Sequence, residues 1–392
     1  MPEKKYTSAQ RALRRLRGRK VGALAGALAG GALESPRAES PNLGDQRIKS
    51  SLDIARERFR MIAERAEYGS QLSDEQKKVL ADAEAALKKL AHDGETADVT
   101  GDQQIALEAI VVADGTRPAL FVKDDDVDPG VAEAGTWATS ITTLRSSIST
   151  VAPSVGRINS KIGAPNYAGT GFVVADGLIL TNRHVLEALV GGPNPQPDGT
   201  WKFLKPVTID FVAEFGNTQK KEFEVTGVAF AGPDAINHTV VLSHLDVALL
   251  KVKTNNAAGD SFPAPLALSK KLDPLAADSN LYVMGYPARP LNEVAEVLMK
   301  VFLDEYFVKR FAPGLVERAL DDVDDGGLKR VFTHDASTLG GNSGSCVVEF
   351  TMDGRAVVGL HFGGVARSEN FSHAVAKFEQ VLNANGVTLQ NV

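Results

Sequence analysis

A single cysteine, Cys346, stands among 392 residues. That excludes an intrachain disulfide and removes the common thiolate zinc sites, which draw on several cysteines. No run of about 18 apolar residues is present, so an ordinary transmembrane helix is excluded too. Excess positive charge is also missing, with 43 Lys and Arg against 49 Asp and Glu, a net of −6 and an isoelectric point near 5.7. A dedicated nucleic-acid binder is usually basic overall, so no nucleic-acid partner is expected. No ligand cluster or cofactor motif is found, and neither a metal nor a cofactor is expected. The 36 glycines and 18 prolines are too few for a collagenous or low-complexity chain. What remains is 43% hydrophobic and 23% charged, the composition of a globular chain long enough for two or three domains.

The charge is unevenly spread. Residues 1–40 hold nine Lys or Arg against three Asp or Glu. The basic run Arg11 to Lys20 leads into the Ala/Gly/Leu stretch Val21 to Leu33, which loosely resembles a signal peptide but is only weakly apolar. A basic flexible arm over 1–45 is the expectation. The weak signal and lone cysteine favour a cytoplasmic location over a secreted or periplasmic one. Leu52, Ala55, Phe59, Ile62, Ala63 and Ala66 recur at spacings of three and four, an amphipathic helix stripe. Ser73 and Gln76 form a capping-box pattern ahead of a second helix reaching about Ala91. A helical hairpin over 46–93 follows. A hairpin this small needs cover for its stripe, so residues 47–91 are a candidate dock for a regulatory protein partner. Residues 94–150 read as a linker with a short helix and a short strand.

From about 151 the pattern turns to short β-rich runs separated by turns such as Asp176-Gly177 and Asp198-Gly199, which points to antiparallel barrels or sandwiches. The division expected is 151–262 and 263–392, with a helical insertion at 291–320.

Three segments carry the chemistry. They are Gly169-Thr170-Gly171-Phe172 with Thr181-Asn182-Arg183-His184-Val185, then Asp246-Val247-Ala248-Leu249, then Gly340-Gly341-Asn342-Ser343-Gly344-Ser345. A serine hydroxyl is a poor nucleophile at neutral pH and requires an adjacent base. Histidine suits that task, with an unperturbed pKa near 6.5. A buried carboxylate on the other ring nitrogen fixes the tautomer. Glycines around Ser343 allow a sharp turn that can aim the amides of Gly341 and Ser343 at one point, where an acyl oxyanion would form. His92, His238, His244, His334 and His373 lack a partner motif and read as surface or structural residues.

In these motifs and their order, residues 155–380 resemble the serine peptidases of the chymotrypsin fold, most closely the bacterial glutamyl-endopeptidase and Deg-type branch. The resemblance implies a mainly β fold, a double antiparallel β-barrel preceded here by the helical hairpin. It also implies a serine endopeptidase with His184 as general base, Asp246 as its orienting acid and Ser343 as nucleophile. Gly341 and Ser343 would supply the oxyanion-hole amides. Thr338, His361 and Gly363 fall where that branch binds the side chain before the cut, which implies a preference for Glu or Asp; a small or relaxed pocket is the alternative. Asn342 stands where activated members of the fold carry an aspartate paired with a new N-terminus, so activation by that ion pair is not expected. The rival from another class is a catalytically silent peptide-binding scaffold of the same fold.

Overall fold

The structure, a computed structural model, describes residues 7–16, 43–65, 72–113, 116–161, 166–236, 240–288, 305–338, 341–351, 355–365 and 369–392. Side-chain alternation explains its β architecture. Along β3 (Gly169–Ala175), Phe172 and Val174 enter a core shared by the two halves of the β region. Val173 between them faces the opposite way, into a core with Ile158, Ile179, Ile209, Phe223 and Leu250. The strand is apolar on both faces because both are covered.

β2 (Val155–Ser160), β3, β4 (Leu178–Thr181), β5 (Val207–Asp210), β6 (Glu222–Ala231) and β7 (Ala248–Val252) close an antiparallel barrel in the order β2-β3-β4-β7-β6-β5. The second barrel uses β8 (Asn280–Gly285), β9 (Arg310–Arg318), β10 (Val331–His334), β11 (Cys346–Phe350), β12 (Arg355–Val365) and β13 (Glu369–Ala374). It closes because β9 bonds β8 along Arg310 to Leu315 and β10 at Val316 and Arg318. Where β10 does not reach, the edge of β9 is taken by β1 (Leu120–Phe121), in register Leu120 to Phe311. The chain is thus mainly β, two closed antiparallel barrels with helices ahead of them.

One expectation is corrected. The helical insertion placed at 291–320 is a strand over Arg310–Arg318, every residue of it buried; residues 289–304 lie outside the described set. Pro313-Gly314 accounts for the difference, since proline inside a helix costs roughly 3 kcal/mol and glycine about 1. The charged residues of this strand are satisfied inside the sheet. Arg310 lies 3.3 Å over the Phe121 ring and donates to the Ala119 carbonyl at 3.0 Å, while Arg318 Nε donates to Glu369 at 2.8 Å.

Ahead of the barrels, α1 (Ser8–Leu16), α2 (Asp45–Arg65), α3 (Asp74–Asp93) and α4 (Gly101–Ala113) share a separate core. Residues 8–16 are therefore helix, not flexible arm: Ala9, Ala12, Leu13 and Leu16 fall on one face and are buried. The signal-like stretch Val21 to Leu33 lies outside the described residues. The stripe of Leu52, Ala55 and Phe59 packs in one core with α1 and α4 of the same chain, so its burial does not call for an outside partner. Ser73 caps α3 reciprocally with Gln76.

Residues 94–150 are more than a linker. α5 (Ala138–Val151) places Ile141, Leu144 and Ile148 in the core between the barrels, beside Phe172 and Tyr282. Trp137, fully buried at its start, stacks edge-on to Tyr282 at 5.9 Å and donates from Nε1 to the Thr116 carbonyl at 2.9 Å. The buried Lys309 ammonium joins the same junction, donating to the carbonyls of Ala152 (2.7 Å) and Phe211 (2.9 Å) and to Glu214 (2.8 Å). Because Trp137 fills this junction with its one polar atom satisfied, Trp137→Ala is expected to destabilise the chain by about 3–5 kcal/mol, read as a lowered midpoint in urea unfolding.

Candidate active site

His184 follows β4 directly, in the first turn of α6 (Arg183–Val190). Asn182 stands at the N-cap position with extended backbone, yet its side chain does not cap the helix. Its Nδ2 donates instead to the carbonyl of Asp246 at 2.9 Å. The Asp246 carboxylate takes over at the helix start, where exposed amides favour a negative charge. Oδ1 accepts from the His184 amide at 2.9 Å, and Oδ2 meets His184 Nδ1 at 2.6 Å. A carboxylate accepts only, so the imidazole proton sits on Nδ1 and Nε2 is left as a base. Burial lowers the His184 pKa, but the Asp246 carboxylate, by charge and by hydrogen bond, and Glu187 more than offset it, so His184 titrates above its ordinary 6.5.

Asp246 is itself held from the second barrel. Its amide donates to Nε2 of His373 in β13 at 3.1 Å. The His373 ring is buried and stacks on Phe362 at 4.2 Å. Burial lowers its pKa to about 4, so near neutral pH its Nε2 remains an acceptor. His373 read as having no partner in the sequence; nothing in its spacing from Asp246 signals the contact.

Ser343 sits on the loop between β10 and β11, pinned to the first barrel. Its carbonyl accepts from the Thr170 amide at 2.8 Å, and Thr181 Oγ1 donates to the Thr170 carbonyl at 2.7 Å. Gly344, at φ +87°, lies so close that a Cβ there would fall 1.9 Å from the Thr170 carbonyl oxygen, so no other residue fits. Gly169 measures the approach of the two segments: a Cβ added there would stand 2.8 Å from Val185, next to His184, and 3.2 Å from the Ser343 carbonyl oxygen. Structure thus places His184, Asp246 and Ser343 around one end of β3 and β4. Ser343 is partly exposed, and among the described residues its hydroxyl makes no hydrogen bond, His184 included.

Gly341 has φ +91°. The Tyr167 hydroxyl lies between the carbonyls of Gly341 and Tyr286, its one proton serving either of them, and so holds the peptide between Gly341 and Asn342. Among the described residues neither the Gly341 nor the Ser343 amide has an acceptor. Tyr167 was invisible to motif reading, whereas Thr170 and Thr181 lay inside the quoted motifs without an assigned task.

Thr338 and His361 approach the same loop. The Thr338 hydroxyl donates to Asn370 Oδ1 at 2.6 Å. His361, buried in β12, lies with Nδ1 3.3 Å from Nε2 of His334. Burial first, then His334 and His184, push its pKa well below the ordinary histidine range. Its backbone accepts from Gly344 and donates to the Ser345 carbonyl, each at 3.0 Å. β12 bulges between His361 and Gly363, a local distortion that re-aims side chains. Among the described residues no group of His, Cys, Asp and Glu could hold a metal ion, and no helix is long and apolar enough to cross a membrane.

A trypsin-like peptidase domain matches residues 169–360. A probable serine protease of Lysobacter enzymogenes is 32% identical over 326 residues, 76% of this chain and 81% of its own length. A glutamyl endopeptidase of Staphylococcus epidermidis is 28% identical over 229 residues, 57% of this chain and 64% of its own. Among solved structures, a protease of M. tuberculosis in its active form covers 62% of this chain and 86% of its own, at 20% identity and a TM-score of 0.38.

Because the Asp246 charge outweighs burial at the imidazole, Asp246→Asn is expected to lower the His184 pKa, read from its ring proton shifts across a pH series; an unchanged titration would refute the assignment.

Proposed function

Since the chain belongs to the trypsin-like serine endopeptidases, we propose that Ser343, His184 and Asp246 are its catalytic residues and that it cuts after Glu or Asp. The observation that carries this reading is the two-point hold of Asp246 on His184. It leaves Nε2 as the only basic ring nitrogen, on the helix beside the Ser343 loop.

In the proposed sequence Ser343 Oγ attacks the peptide carbonyl carbon as its proton passes to His184 Nε2. The imidazolium that forms keeps its Nδ1–H on Asp246, which stabilises the new positive charge. The carbonyl oxygen, now anionic, accepts from the Gly341 and Ser343 amides. Loss of one such donor typically costs ~10²–10³ in turnover. His184 then protonates the departing amine as the carbon–nitrogen bond breaks. Water, losing a proton to His184, next attacks the ester carbon; the C–Oγ bond breaks as His184 returns that proton to Ser343, and the acid is freed. The catalytically silent scaffold is the rival reading; the missing Ser343–His184 hydrogen bond favours it, whereas the hold of Asp246 on both the amide and the ring of His184 favours the peptidase.

For the residue before the cut, His361 is the proposed recognition group. A neutral imidazole carries one N–H. With the His334 Nε2 proton given to His361 Nδ1, the His361 proton stands on Nε2, available to a substrate carboxylate. The Thr338 hydroxyl is committed to Asn370, so it supports this strand instead of donating to substrate. Similarity to a glutamyl endopeptidase agrees with the same preference.

Two outcomes follow. Ser343→Ala is expected to lower kcat on the order of a millionfold, measured by release of a fluorescent leaving group. In peptides differing only before the cut, those with Glu or Asp are expected to show the highest kcat/KM, and His361→Ala to lose that advantage. Preference for Arg or Leu would defeat the specificity reading.

A further inference from the structure

Resting on the reading of Ser343 as nucleophile, we propose that Arg117, in the segment ahead of both barrels, is a positioning residue that sets the loop carrying Thr338 and Ser343. The segment at 116–121 is then a working part of the enzyme.

The contacts are dense and directional. Arg117 and Asp335 are 0% and 1% exposed. Nε and Nη2 of Arg117 each donate to a different oxygen of Asp335 at 2.7 Å. A paired fork of this kind fixes orientation as well as distance. Nη1 donates to the Thr116 carbonyl at 2.7 Å. Two residues beyond Asp335, Ser337 Oγ donates to the Arg117 carbonyl at 2.6 Å. The loop therefore grips Arg117 twice, once by its side chain and once by its backbone.

Asp335 is tied equally to the barrel, where Oδ1 accepts from the Leu315 amide in β9 at 2.7 Å. Ala336, fully buried, lies against Gly314, at which a Cβ would stand 2.5 Å from the Ala336 nitrogen. Residues 335–337 are clamped between β9 and the Arg117 segment, and Thr338 follows at once. On the other side, Arg117 is anchored by Trp137 on the Thr116 carbonyl and by β1 on β9.

The charge arrangement argues for a role in ordering the loop. Asn342, next to the nucleophile, carries no charge with which an ion pair could order the turn. The loop's buried carboxylate is Asp335, and its partner comes from upstream in the same chain. A buried ion pair is a weak source of net stability, because desolvation offsets attraction. What it fixes here is the place of residues 335–337, just ahead of Thr338.

The test is the rate at which a fluorophosphonate labels Ser343 in the full chain. Arg117→Ala is expected to keep its far-ultraviolet circular dichroism, to label about tenfold more slowly, and to recover when free guanidinium is added. Arg145→Ala, which removes an exposed ion pair of α5 with Asp126, is expected to label like the wild type. Should Arg117→Ala fail to fold, Arg117→Met with Asp335→Asn leaves no unpaired buried charge, and the same slow labelling is expected of it. Folded variants that label at the wild-type rate would overturn the proposal and leave the peptidase reading standing. An unlabelled wild type would overturn that reading, and the positioning role with it.

Discussion

Two oxygens of one carboxylate organise this molecule. Asp246 divides them between the amide and the ring of His184, and so serves at once as the cap of α6 and the partner of the imidazole. Capping usually falls to a residue such as Asn182, but that side chain turns to the Asp246 backbone. Helix start, carboxylate and base are thereby locked to one another. On the proposed reading, the rest of the fold serves to bring Ser343 toward that base.

Each barrel supplies one half and both hold the joint. The first barrel contributes His184 and Asp246, and the second reaches across with His373 to the Asp246 amide. In return the Ser343 loop of the second barrel hangs on Thr170 of the first, and Tyr167 of the first holds the Gly341 carbonyl. The apolar layer between the barrels, thickened by α5 and Trp137, gives these polar contacts a buried setting. Lys309 closes that layer with a charge that meets its partners inside it.

The residues proposed for the chemistry stood out because such chemistry would constrain their neighbours along the chain. Glycines must flank the sharp turn at Ser343, small and β-branched residues must build β3 and β4, and an apolar strand must follow Asp246. Those signals are local. Contacts that join distant segments left no such trace. Arg117 is 218 residues from Asp335, and His373 follows Asp246 by 127, so neither pairing has a spacing to read. The strand at Arg310–Arg318 escaped for a related reason: its charges are made tolerable in a sheet by tertiary partners such as Phe121 and Glu369. The helix at Ser8–Leu16 was hidden by its basic composition, although Ala9, Ala12, Leu13 and Leu16 already carried the helical spacing.

The central claim is that Asp246 dictates where the His184 ring carries its proton. Nitrogen-15 spectra of the ring, recorded above the His184 pKa, test it most directly. The account predicts protonated Nδ1 and bare Nε2 in the wild type, with that preference lost in Asp246→Ala. A wild-type ring protonated on Nε2, or a tautomer unchanged by the substitution, would contradict it.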